Sequence, residues 1–149
     1  MIGIIVTGHG NFATGLTSGL KLLAGDTEFY EAVDFEPEDS IDILTEKLNG
    51  AIKRLEGCEA VAVFADLTGG SPFNVASRIK LAGTDCPFEV AGGTNLPVVL
   101  QAYLSRTMIH DVTELVDHAL EAGRGQMIRF IPAEASEDDE GCECEEYDE

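Results

Sequence analysis

The chain is short of basic residues, has no long hydrophobic run and holds too few cysteines for a disulfide framework. Nine lysines and arginines face 28 aspartates and glutamates, a formal net charge of −19. Such a chain repels a phosphate backbone, so nucleic acid is not an expected ligand. The apolar start, Ile2 to Val6, is too short for a signal-peptide core and lacks a basic n-region. No other stretch approaches the roughly 20 residues that span a bilayer, and a cytoplasmic location is expected. Cys58 and Cys86 lie beside or between apparent core segments, while Cys142 and Cys144 sit in a polar tail. All four read as reduced thiols. The Cys142-x-Cys144 pair has no histidine near it, and a structural zinc site wants four ligands, so no metal is expected.

What is present describes one globular domain. The 149 residues are 44% hydrophobic, enough for a single core that removes about 70% of the unfolded chain's surface from water. The acidity is uneven: residues 134 to 149 hold ten acidic residues and no basic one. A segment such as EASEDDEGCECEEYDE cannot offset its ordering entropy by burial. The expected organisation is a domain over residues 1–132 followed by an acidic, disordered tail over 133–149.

Apolar runs of strand length alternate with segments of helical period, and no repeat or linker interrupts them, which predicts an α/β domain. Strands are expected at Ile2 to Thr7, Phe29 to Phe35, Ala60 to Ala65, Phe88 to Ala91 and Gln126 to Ile131. AVAVFA, apolar throughout, belongs at the centre of the sheet. The first helix presents Phe12, Leu16, Leu20 and Leu23 on one face and stops at Gly25; the second carries Ile41, Leu44, Leu48, Ile52 and Leu55. Ser71 and Pro72 read as the cap and first-turn proline of a third helix, which presents Phe73, Ala76 and Ile79. Pro97 opens a fourth, and Asp111 with Glu114 starts a fifth.

Two loops carry the chemistry. In an open parallel sheet the ligand crevice lies beyond the carboxyl ends of the strands, where strand order reverses. With the common order 2-1-3-4, strands 1 and 3 are neighbours there, and VTGHGNFATGL brings His9 to Asp66 of DLTGGSPFN. Asp66 accepting from the imidazole Nδ1–H would fix the tautomer and leave Nε2 as a nucleophile. The amides of Gly69 and Gly70, with the Ser71 hydroxyl at a helix N-terminus, make an anion cradle. Imidazole, carboxylate, hydroxyl and oriented amides suit phosphoryl transfer through a phosphohistidine, with no cofactor.

On GHGNFATGL and DLTGGSPFNVASR, supported by GGTNLP, the sequence resembles the IIA domain of the mannose-type sugar phosphotransferase system from Met1 to about Pro132. The resemblance implies that His9 takes phosphate from the histidine-containing phosphocarrier protein and gives it to a IIB partner. That partner phosphorylates a sugar as the membrane permease imports it. It also implies that Asp66 orients His9, that Ser71 lies in the same pocket, and that the chain is a homodimer in which Gln126 to Ile131 crosses to run antiparallel on the partner's sheet. Relatives often carry a bulky aromatic where this chain has Thr68, which alters the rim of the pocket. With no fused IIB domain after residue 132, IIB is expected on a separate polypeptide.

Other residues of these types have structural readings. His110 and His118 read as exposed or structural, and Phe12, Leu67 and Phe73 as core residues rather than a docking patch. The GHGNFATG glycines miss the dinucleotide spacing at Ala13, and Asp34 closing strand 2 is weak support by itself, so a Rossmann site is set aside. Rival functions are a phosphocarrier subunit of a dihydroxyacetone kinase, which lacks a GGSPFN-like loop, a small tetrapyrrole metal chelatase, and a noncatalytic regulatory module.

Overall fold

Two stretches of the chain are apolar at nearly every position, and both become strands covered on two sides. β1 (Ile2–His9) is buried from Ile2 to Gly8, and β3 (Ala60–Ala65) is buried at all six positions. In the computed structural model, which describes residues 1–133, these strands pair in parallel, with Ile2 opposite Ala60 and Thr7 opposite Ala65. β2 (Tyr30–Phe35) pairs with the other side of β1, and β4 (Phe88–Ala91) with the other side of β3. The sheet is parallel throughout, in the order β2-β1-β3-β4.

Side-chain alternation divides the core into two layers. Ile2, Ile4 and Val6 with Ala62 and Phe64 face α1 (Phe12–Ala24), α4 (Leu96–Ser105) and α5 (Val112–Gly125), meeting Leu20, Val99 and Leu115. Ile5, Val61 and Val63 face α2 (Ile41–Arg54) and α3 (Ser71–Ala82), meeting Leu44, Leu48 and Val75. Each fully buried aliphatic side chain contributes about 1.5–3 kcal/mol. α5 starts at the expected Asp111, which accepts the Glu114 amide, while Ser40 and Asn95 cap α2 and α4 by accepting the amides of Ile43 and Val98. In α1 the buried row is Ala13, Thr17 and Leu20 and continues through Ala24; Leu23, expected in that row, is turned off the core and is 61% exposed.

One cation is built into the base of this core. Arg106, which caps the end of α4, is 3% exposed. Its guanidinium donates to the carbonyls of Ile2, Glu28 and Phe29 and stacks on the Tyr103 ring, 4.3 Å from the centroid. It thereby joins the start of β1, the entry to β2 and the end of α4.

After α5, residues 127–133 form neither helix nor strand. Met127, Ile128, Phe130 and Ile131 are between 68% and 84% exposed. The expected final strand, Gln126 to Ile131, is unpaired within the single chain, and the side of β4 away from β3 is an open edge of the sheet. The tail expected from residue 133 onward and the Cys142/Cys144 pair lie outside the described residues, apart from Ala133. Among the described residues no helix is long and apolar enough to cross a membrane.

Candidate functional site

His9 stands on a strand rather than in a loop. β1 runs two residues beyond the expected Thr7 because β2 continues beside it: Gly8 pairs with Asp34 and His9 with Phe35. The Gly10 amide then donates to the Phe35 carbonyl at 2.7 Å. On the other side the Asp66 amide donates to the Thr7 carbonyl at 3.1 Å. β1 and β3 therefore carry His9 and Asp66 together past the carboxyl edge of the sheet. The chain leaves β1 toward β2 on one side, while β3 and β4 lie on the other, which makes this the switch point where α/β ligand crevices form.

The two side chains, 57 residues apart in sequence, are in direct contact. His9 Nδ1 lies 2.9 Å from Asp66 Oδ2, and the His9 backbone N–H donates to the same oxygen at 2.9 Å. The Leu67 amide donates to Oδ1 at 2.8 Å. Burial acts to raise the Asp66 carboxyl, but the hydrogen bonds from His9 and Leu67 outweigh it and hold the group below its ordinary value. An ionised carboxylate is acceptor-only, so it selects the imidazole tautomer with the proton on Nδ1 and leaves the Nε2 lone pair free. The His9 side chain is 46% exposed and that of Asp66 15%. The site is thus an open nucleophile on a shielded orienting acid.

The loop after Asp66 closes over the imidazole. Gly69 turns the chain at φ +83°, a conformation L side chains rarely adopt. The Asn74 side-chain amide donates to the Gly69 carbonyl at 2.9 Å, and the Asn74 backbone amide to the Gly70 carbonyl at 2.9 Å, which starts α3. Gly70, not Ser71, is therefore the helix cap. Ser71 is the first helical residue, and its hydroxyl makes no capping bond. The expectation that the Gly70 amide cradles an anion meets a donor already used, since it gives its proton to the Leu67 carbonyl at 3.1 Å. What Gly70 supplies is room. A Cβ there would sit 2.8 Å from His9 Cε1 and 3.3 Å from the Leu67 carbonyl oxygen. The amides of Ser71 and Phe73 precede the first helical hydrogen bond and are available at the positive end of α3.

Gly70→Ala is expected to push the imidazole away from its place beside the loop. Misplacement of a reacting atom by about 1 Å costs on the order of 100-fold in rate. Because the Gly70 backbone is ordinary extended, at φ −73° and ψ 168°, the variant should melt close to wild type. An unchanged His9 Cε1–H chemical shift in the variant would contradict the contact.

Two residues near the site had no signal of their own. Phe35 packs its ring against that of His9, centroids 5.9 Å apart at 64°. Asp34, set aside as a dinucleotide feature, accepts the Thr14 amide at 3.1 Å and the Thr14 hydroxyl at 2.7 Å. It caps α1 from the neighbouring strand, where Asn11 makes no side-chain cap. Of the apolar neighbours, Phe12 and Phe73 are half-buried, but Leu67 is 59% exposed and is not the core residue expected. His110 pairs with Glu59, and His118 contacts Gln101; both are on the surface, away from His9. A cavity of about 520 Å³, lined in part by Leu55, Cys58, Val61, Cys86 and Phe88, lies at the opposite, amino end of the strands. Both thiols there are unpaired.

Comparison with known proteins agrees with this geometry. A family model described as PTS system fructose IIA component matches residues 3–120. The chain is 34% identical over 123 residues to the PTS system mannose-specific EIIAB component of Escherichia coli K12, covering 83% of this chain and 38% of that protein. It therefore spans well under half the length of that relative. It is 32% identical over 101 residues to the PTS system fructose-specific EIIA component of Bacillus subtilis, covering 68% of each. Its structure is similar to the crystal structure of phosphotransferase system component EIIA from Streptococcus agalactiae, with TM-score 0.81 and 34% identity over 87% of this chain and 97% of that one.

Proposed function

Because the chain belongs to the family of phosphotransferase-system fructose IIA components, we propose that His9 is its phosphoryl carrier. In this reading His9 accepts the group from the histidine-containing phosphocarrier protein and passes it to a IIB component during sugar uptake. The observation that carries the proposal is the 2.9 Å contact between His9 Nδ1 and Asp66 Oδ2, which leaves Nε2 open at the surface. The Nε2 lone pair attacks phosphorus in line as the donor's N–P bond breaks, and the bonding pair stays on the donor's imidazole nitrogen. Positive charge then develops on the His9 ring, where Asp66 opposes it. The Gly69 and Ser71 amides and the Ser71 hydroxyl hold the phosphoryl oxygens at the start of α3, while Gly70 keeps the space beside the ring. Transfer onward repeats the displacement, with a nucleophile of IIB attacking and His9 Nε2 leaving. The DLTGGSPFN loop and the sugar-system names of the relatives favour this over the kinase-subunit, chelatase and regulatory readings.

The test is an intact mass after incubation with phosphoenolpyruvate, enzyme I and the histidine phosphocarrier. One acid-labile phosphoryl group is expected on wild type and none on His9→Ala. A folded wild-type protein that gains no mass in the presence of active upstream components rejects the proposal.

The same reading includes a homodimer. The four apolar side chains of residues 127–131 are exposed, and one side of β4 is an edge strand. Pairing that segment with the partner's β4 would cover both features. Sedimentation should give twice the chain mass for wild type and the single-chain mass for a double variant, Ile128→Asp with Phe130→Asp. A monomeric wild type contradicts the exchange.

A further inference from the structure

We propose that Phe35 is a positioning residue for the phosphoryl transfer, its ring holding the His9 imidazole in the orientation that presents Nε2 to the donor. The inference rests on the reading of His9 as the phosphoryl carrier. Asp66 fixes where Nδ1 lies, but a single acceptor leaves the ring free to pivot about the Nδ1···Oδ2 line. Nearly half of the His9 side chain is in solvent, so the surrounding water does not restrain that pivot. Two contacts do. One is the close approach of Gly70 at Cε1. The other is the Phe35 ring, packed edge-to-face at 5.9 Å and 64°.

Phe35 is itself well placed to act as a wall. It forms the last rung of the β1–β2 pairing, directly opposite His9, and its carbonyl accepts the Gly10 amide at 2.7 Å. Its side chain also packs on the α2/α3 core layer. The backbone duty and the ring's duty are separable, because any residue at position 35 keeps the carbonyl. An edge-to-face aromatic contact corresponds to a preference of roughly three- to tenfold for one orientation. That preference should appear in the rate of the chemical step and not in recognition of the donor protein.

The test compares Phe35→Leu, which deletes the ring but keeps apolar burial, with Phe35→Tyr, which restores a ring. Single-turnover phosphorylation by the phosphorylated histidine carrier is measured over a range of donor concentrations. The expected result is a rate constant roughly three- to tenfold lower for Phe35→Leu. The donor concentration at half-maximal rate should stay unchanged, and Phe35→Tyr should return to the wild-type rate. Nuclear relaxation of His9 Cε1–H in the unphosphorylated proteins should show a more mobile ring in Phe35→Leu alone, with Nδ1 still protonated. A Phe35→Leu protein with the wild-type rate and a rigid His9 ring overturns the inference. If wild type itself takes no phosphoryl group, the carrier reading fails, and the relaxation comparison still decides whether Phe35 holds the ring. Should Phe35→Leu melt early, Phe35→Met deletes the ring with a longer side chain and replaces it in both measurements.

Discussion

Asp66→Asn should phosphorylate on the order of 100-fold more slowly than wild type, or worse, while keeping its fold. Asp66 Oδ2 accepts from both the His9 backbone amide and Nδ1, and Oδ1 accepts from the Leu67 amide. An asparagine has one acceptor and one donor end, and neither orientation serves all three. With its oxygen toward His9, the NH2 group confronts the Leu67 amide. With its oxygen toward Leu67, the NH2 group confronts the His9 amide and drives the ring proton from Nδ1 to Nε2, which removes the nucleophilic lone pair. In both orientations the carboxylate charge that opposes the developing imidazolium is gone. The acid dependence has a definite sign. A carboxyl held below its ordinary pKa by native hydrogen bonds stabilises the fold fully above that ordinary value, and the contribution is lost as pH falls through the lowered one. The stability gap between wild type and Asp66→Asn should therefore be full at neutral pH and close in strong acid. Wild-type transfer rates in the variant would contradict the orienting role.

Arg106→Met should be the most destabilising of the single changes considered, and it should act far from the chemistry. The substitution fills much of the same volume but strips the buried Ile2 carbonyl and the half-buried Glu28 carbonyl of a charged donor, while the Phe29 carbonyl keeps the Ile4 amide. A charge-assisted hydrogen bond to a buried carbonyl is worth about 1.5–3 kcal/mol, and the lost stacking on Tyr103 adds to it, so a loss of about 3 kcal/mol is expected. For a domain of this size that lowers the melting temperature by roughly 10 °C. Arg106→Lys should fall between, since one ammonium cannot reach as the planar guanidinium does and stacks less well on Tyr103. Phosphorylation of the folded fraction should be normal in both variants. A melting temperature equal to wild type in Arg106→Met would show that water replaces the guanidinium at this corner.

Much of this architecture is written in local patterns. AVAVFA is apolar on both faces and sits between two strands and two helical layers, as its composition requires. The order β2-β1-β3-β4 is one of those the βαβ alternation permits, and by setting β1 beside β3 it brings His9 to Asp66. The misreadings arise where tertiary contacts decide. Ser71 precedes a proline and looks like a cap, but the turn at Gly69 shifts the first helical carbonyl to Gly70 and leaves the serine hydroxyl free of the helix. Leu67 looks like core in an apolar context, yet Asp66 turns back to His9 and carries the next residue outward. Phe35 and Asp34 end a strand whose alternation says only which face is inside. That one meets His9 and the other caps α1 depends on how β2 lies beside β1, which no local pattern encodes.

The most direct test of the central claim is to phosphorylate 15N-histidine-labelled protein and read which ring nitrogen of which histidine is coupled to phosphorus. The arrangement of His9 and Asp66 predicts one phosphoryl group on His9 Nε2, with Nδ1 protonated and still hydrogen-bonded. Phosphorus on His9 Nδ1, or on His110 or His118 instead, would contradict it.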